Sequence, residues 1–264
     1  MRTGAIAQPI MTLGGVLAAQ ILHAAFRTDL PSHTNQDPSG DFGDISLPTL
    51  RIAFLGDSSV TAPGVDPLDA CWARQLVFHL TDRFHVQARS VAVGGSKVRD
   101  VLASQIDAAI AVAPDIAYVS VGSNDALRGT PITRFEREYR EMAGILHEAV
   151  PAVGLSGVGD LGSIPRLPEF ARGVARIRAR SVNNAIARVG ADLPRAVKSN
   201  PWGIMWDTFY RDAEMFAGDQ FHASAKGHLV FAEVARPMAD RLVDVWDAER
   251  GDLRPITPSG RGSA

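Results

Sequence analysis

The sequence predicts an α/β fold, a three-layer α/β/α sandwich around a mostly parallel five-stranded sheet. Three observations carry this. Beyond Leu50, short apolar runs alternate with stretches of helical period. One run, Asp115 to Val121, is nearly continuous in hydrophobicity, as in a strand covered on both faces. At 264 residues and 46% hydrophobic content, the chain is long and apolar enough to bury a substantial core.

The elements follow in order. Ile52 to Leu55 is the first strand, and Leu68, Trp72, Leu76 and Leu80 mark a helix face behind it. Val91 to Val93 is the second strand, followed by Val98, Val101, Leu102, Ile106 and Ile110 at helical spacing. After the third strand, Thr133 and Glu136 stand at capping-box spacing before the stripe Phe135, Tyr139, Met142 and Leu146. Ala152 to Val158 is the fourth strand, Gly159 to Pro168 a long loop, and about Glu169 to Val189 a helix. Trp202 to Trp206 supplies a short fifth strand, and a closing helix runs from about Ser224 to Trp246. In such a sheet the binding crevice lies at the carboxyl ends of the strands. Ser58, the Gly94-Gly95 pair and Asn124 each follow a predicted strand, so all three are expected at one edge.

Outside the domain, expected at 50–248, three segments stand apart. Residues 1–27 hold no charged residue between Arg2 and Arg27 and are mostly apolar from Ile10 to Leu22. A membrane anchor is the first reading, a docked helix the second, and a cleaved signal the third because no small-x-small cleavage site follows. The segment thus favours a membrane-associated or exported protein and offers a membrane contact. Residues 28–49, rich in Pro, Ser, Asp and Gly, read as a linker, and 249–264 as a disordered tail. Arg172, Arg176 and Arg180 lie one turn apart, a solvated basic face whose functional alternative is a dock for anionic lipid headgroups.

Composition excludes several classes. A net charge of −2 gives no global pull toward nucleic acid, and none is expected as a partner. Cys71 is the only cysteine, which rules out an internal disulfide; flanked by Ala70 and Trp72, it reads as a buried small hydrophobe. The carboxylates and histidines form no ligand pattern, so no metal and no cofactor are expected. The Gly94 to Lys97 stretch lacks the spacing of a phosphate loop.

Chemistry concentrates on Ser58. A serine hydroxyl is a poor nucleophile unless a base lies within hydrogen-bond reach and a third group orients that base. Of the seven histidines, only His222 joins a loop position to an acidic residue three before it, Asp219. His222 then serves as general base, with Asp219 holding its tautomer. Oxyanion donors are available at the Ser58 backbone N–H, the Gly95 backbone N–H and the Asn124 side-chain amide. Asp57 and Asp125 are assigned structural roles, bonding local backbone amides at their turns.

Together, Gly56-Asp57-Ser58-Ser59, Ala92-Val93-Gly94-Gly95-Ser96, Gly122-Ser123-Asn124-Asp125 and Asp219-Gln220-Phe221-His222 resemble, in order, the motifs of the SGNH, or GDSL-type, hydrolases. The resemblance covers roughly Leu50 to Leu242. It implies the flavodoxin-like fold of that family, a nucleophile at Ser58, donors at Ser58, Gly95 and Asn124, and a base at His222 supported by Asp219. It further implies an esterase or lipase acting on a small-molecule or lipid acyl ester. Two positions depart from the pattern: Ala223 stands where many members have Pro, and Val91 where Asn is frequent. The rival readings are an acyltransferase or carbohydrate deacetylase on the same triad, a non-catalytic membrane-associated module, and a phospho-signalling receiver domain suggested by the sheet alone.

Overall fold

The computed structural model describes residues 29–199 and 202–252. Its centre is a six-stranded sheet built from β1 (Gly40–Phe42), β2 (Thr49–Gly56), β3 (His85–Ser90), β4 (Ile116–Ser120), β5 (Ala152–Ser156) and β6 (Ala196–Ser199), in the order β1-β3-β2-β4-β5-β6. All pairings are parallel except β1 with β3. The chain goes from β2 to β3 on one side and returns to lay β4 on the other. The strand order therefore reverses at β2, and a crevice opens at its carboxyl end.

Alternation along the strands sorts the core into two layers. Ala53, Leu55, Ala117, Val119, Val153 and Leu155 face one side. There they meet α3 (Val98–Ser104), α4 (Ile106–Ala111), α6 (Ile132–Ala149) and α7 (Glu169–Ala191). Leu50, Ile52, Phe54, Ile116, Tyr118 and Ala152 face the other, against α2 (Trp72–Leu80) and α9 (Ala225–Asp252). Two short helices, α1 (Ser58–Thr61) and α5 (Ser123–Leu127), and α8 (Trp202–Arg211) border the crevice. This is the expected α/β sandwich, with helices on both faces of the sheet.

Several elements differ from the sequence expectation. The sheet has six strands, not five, because Gly40–Phe42 pairs with β3 inside the expected linker. Phe42 is held there edge-on to Phe78 at 5.4 Å. The second strand is His85–Ser90, not Val91 to Val93: only Val86 and Ala88 are buried, so it shows alternation where an apolar run was sought. The strand expected at Trp202 to Trp206 is helix α8, and the sheet instead gains Ala196–Ser199, an edge strand with Val197 as its one buried side chain. No capping box forms at Thr133. Helix α6 starts after Pro131, whose ring presets a helix-entry φ and lacks an N–H. Glu136 is drawn to Arg188 on α7 by bonds of 3.0 and 2.6 Å. The tail expected from residue 249 is helical to Asp252; residues 253–264 and the apolar segment 1–27 lie outside the described residues. Among the described residues no helix is long and apolar enough to cross a membrane.

The basic stripe on α7 is used internally. Arg176 pairs with the buried Asp160 at 3.1 Å, Arg172 donates to the carbonyls of Pro165 and Leu167, and Arg180 lies over the Trp202 ring. These contacts pin the Gly159 to Pro168 loop. Cys71 is buried and free, and burial pushes its thiol up.

Beside the crevice layer, Tyr139 is fully buried and its hydroxyl has no hydrogen-bond partner. An orphaned buried hydroxyl carries its full desolvation cost. Tyr139→Phe is therefore expected to stabilise the protein by about 1 kcal/mol, read as a higher urea midpoint at unchanged slope.

Candidate active site

The site begins where β2 ends. Gly56 has φ +145°, and a Cβ there would run into the backbone carbonyl of Ser120 on β4, so only glycine allows the two strands to stay paired to their last residues. The chain then turns sharply. Asp57 caps α1, its Oδ1 accepting the Ser59 N–H at 2.9 Å, and its own N–H donates to Ser120 O at 3.2 Å. Ser58 is the first residue of α1, and its N–H donates to no described group. That is the ordinary state of a first-turn amide, and it leaves a donor aimed out of the helix start.

Asn124 reaches the same point from α5. Its Nδ2 donates one hydrogen to Asp57 Oδ2 at 3.2 Å, which fixes the amide and leaves the second hydrogen for a ligand. Asp57 is buried. Burial pushes its carboxyl up, and the Ser59 and Asn124 bonds oppose that. Its scaffold role on local amides matches expectation; Asp125 instead accepts from Val98 N–H at 2.9 Å, tying α5 to the distant start of α3.

The third contributor is the turn before α9. Asp219 Oδ1 accepts the backbone N–H groups of Phe221 and His222 at 2.9 and 3.0 Å, and Oδ2 lies 2.6 Å from His222 Nδ1. Burial penalises the Asp219 charge, but the His222 bond and the two amides outweigh it and hold the carboxyl down to about 2. A carboxylate on Nδ1 places the proton there and leaves Nε2 able to accept one. Ala223 in place of Pro does not leave this turn unsupported. Phe216 and Ala223 form an antiparallel bridge, Ala217 N–H donates to His222 O, and Arg166 N–H donates to Gln220 O.

Ser58, Asn124 and His222 line one cleft. Trp72, Tyr118, Phe209, Phe216, Phe221 and Phe231 are among the residues of its wall. Asp219 sits behind His222, buried. Gly95 is not part of the lining. It lies in the adjoining turn with φ +82°, and its N–H donates to no described group. Among the described residues no group of His, Cys, Asp or Glu is arranged to hold a metal ion.

Two residues were missed from the sequence. Buried Gln105 bonds both the N–H and the C=O of Gly56, at 2.8 and 2.9 Å, and reaches Ser96 Oγ at 3.2 Å. It thus clamps the end of β2 to the Gly94-Gly95 loop, and it supplies a side-chain anchor for that loop where Val91 has none. The available signal was a lone amide on the apolar stripe of Val98 and Val101. His228 was passed over as a helix residue, yet it lines the cleft. Burial, and then the proximity of His222, hold it neutral with a value near 3; its Nδ1 accepts the Trp72 N–H.

The family model described as GDSL-like Lipase/Acylhydrolase matches residues 54–230. No curated protein matches the sequence. Among solved structures, the acetylxylan esterase Axe2 from Geobacillus stearothermophilus is similar with a TM-score of 0.57 at 16% identity, over 72% of this chain and 94% of that one. The α/β hydrolase LAE5 from the metagenome of Lake Arreo, Spain, gives 0.59 at 18%, over 74% and 97%. TesA gives 0.60 at 19%, over 73% and 99%. At these identities the structural likeness speaks for the fold, and the family match covers most of the chain. The protein belongs to the GDSL-like lipase/acylhydrolase family and is a serine ester hydrolase.

Proposed function

We propose that the protein hydrolyses carboxylic esters of apolar acyl groups through Ser58, His222 and Asp219. The observation that carries this reading is the 2.6 Å Asp219–His222 bond behind a ring that shares a cleft with Ser58. Ser58 Oγ attacks the acyl carbonyl while His222 Nε2 takes its proton; collapse of the tetrahedral intermediate returns that proton to the leaving alkoxide. Water, deprotonated by the same nitrogen, then releases the acid and regenerates Ser58. The Ser58 N–H and the second Asn124 amide hydrogen are the oxyanion donors, and the Gly95 N–H, unengaged at the adjoining turn, is the third. The aromatic and aliphatic side chains in the cleft lining support an apolar acyl group.

Three outcomes test this. Ser58→Ala is expected to abolish turnover and phosphonate labelling; full turnover by this variant would sink the mechanism. On an ester series, kcat/KM is expected to rise about fourfold per methylene beyond acetyl, the equivalent of roughly 0.8 kcal/mol per buried CH₂, until the cleft is filled. A flat series with preference for acetylated sugar would favour the carbohydrate deacetylase instead. Asp219 has a depressed folded value, so its contribution to stability is present above the ordinary 3.8 and is lost as pH falls through about 2. Urea unfolding of wild type and Asp219→Asn should accordingly differ by a constant amount above about pH 4 and converge toward pH 2. A gap unchanged over that range would remove the charged-Asp219 account.

A further inference from the structure

Residues 31–36 precede the first strand, yet they touch the turn before Asp219, the segment that follows Ser58 and the Gly94-Gly95 turn. Pro31 packs 2.9 Å from where a Cβ on Gly218 would stand, next to Asp219. The His33 ring comes within 2.9 Å of the corresponding point on Gly64. Asn35 fills the space over Gly94, leaving no room for a Cβ there, while its Oδ1 accepts the Thr61 hydroxyl at 2.7 Å. Gln36 donates through Nε2 to the carbonyls of Ala62 and Val65, at 2.7 and 2.9 Å, and through its backbone to Thr61 O at 2.8 Å.

These contacts meet a mechanical need. The Gly94-Gly95 turn has two adjacent glycines and so a wide choice of backbone conformations, whereas an oxyanion donor works only when held in place to within about 0.5 Å. Inside the domain the turn is anchored from one side, through Ser96 and Gln105. Asn35 closes it from the other and ties it to Thr61, three residues beyond Ser58.

We propose that residues 31–36 are a strap that sets the position of the Gly94-Gly95 turn against the nucleophile helix, with Asn35 as its positioning residue. The inference rests on Ser58 as nucleophile and adds a requirement for the segment upstream of the sheet. Asn35 acts through the turn and the helix, so its removal lowers kcat and leaves KM nearly unchanged.

Gly94 makes the test selective, because its φ lies outside the left-handed region and the Asn35 side chain is what a Cβ would meet. The full chain is assayed on a short-chain ester and by the rate of phosphonate labelling, as wild type, Asn35→Ala, Gly94→Ala and the double variant, with urea midpoints confirming that each is folded. Asn35→Ala and Gly94→Ala are each expected to lower kcat and the labelling rate about tenfold, and the double variant to be no worse than Asn35→Ala, since the collision has gone. Thr61→Val, which removes the hydroxyl donor without changing shape, is expected to reproduce the loss in kcat. Folded Asn35→Ala or Thr61→Val proteins with wild-type kcat, or strictly multiplicative losses in the double variant, would overturn the strap. Failure of folded wild type to take the label would overturn the Ser58 reading itself and the strap with it.

Discussion

The buried Asp57 carboxylate is the interaction on which the site depends. A charge removed from water costs several kcal/mol unless its lone pairs are met, and here they are met by the Ser59 amide on one oxygen and the Asn124 amide on the other. Those two donors come from different strands' ends. They reach one carboxylate only because β2 and β4 stay paired down to Gly56 and Ser120. The Ser58 turn and the Asn124 helix are thus registered by the sheet itself, and the cost of burying Asp57 enforces that register.

The opposite wall of the cleft is built by a second buried carboxylate. Asp160 caps the short turn at Leu161–Ser163 through the Gly162 N–H and takes the Arg176 guanidinium from α7. The loop so fixed presents the Arg166 N–H to Gln220, inside the turn that carries Asp219 and His222. His222 and Asp219 are therefore steadied through a loop that a chain of arginine contacts holds down. The α7 arginines accordingly serve the inner architecture of the cleft.

What could be read from the sequence follows the range of the interactions involved. Asp219 and His222 are three residues apart and share one turn, so their pairing is a local matter. Ser58 was legible because an apolar run, a glycine and a capping Asp are consecutive. Gln105 was not: it lies 49 residues from Gly56, and nothing beside it marks an amide that closes both hydrogen bonds of a strand end. Residues 31–36 were read as linker for a related reason. Their composition is that of an exposed segment, and their contacts are with glycines at 64, 94 and 218 that reveal their purpose only when the partner is in place.

The outer strands and β3, which the three-residue β1 covers on one side, show the same limit within the fold. Central strands β2, β4 and β5 are buried on both faces and announce themselves as apolar runs; β1, β3 and β6 are half-covered and do not. By itself the sequence determined the alternation of elements and the family, and it proposed Ser58, His222 and Asp219 for the chemistry, because these depend on order and short spacing. Only the tertiary structure decided which amides and rings surround them. Register across the sheet and packing of distant loops set those neighbours, and neither is encoded in any one stretch of chain.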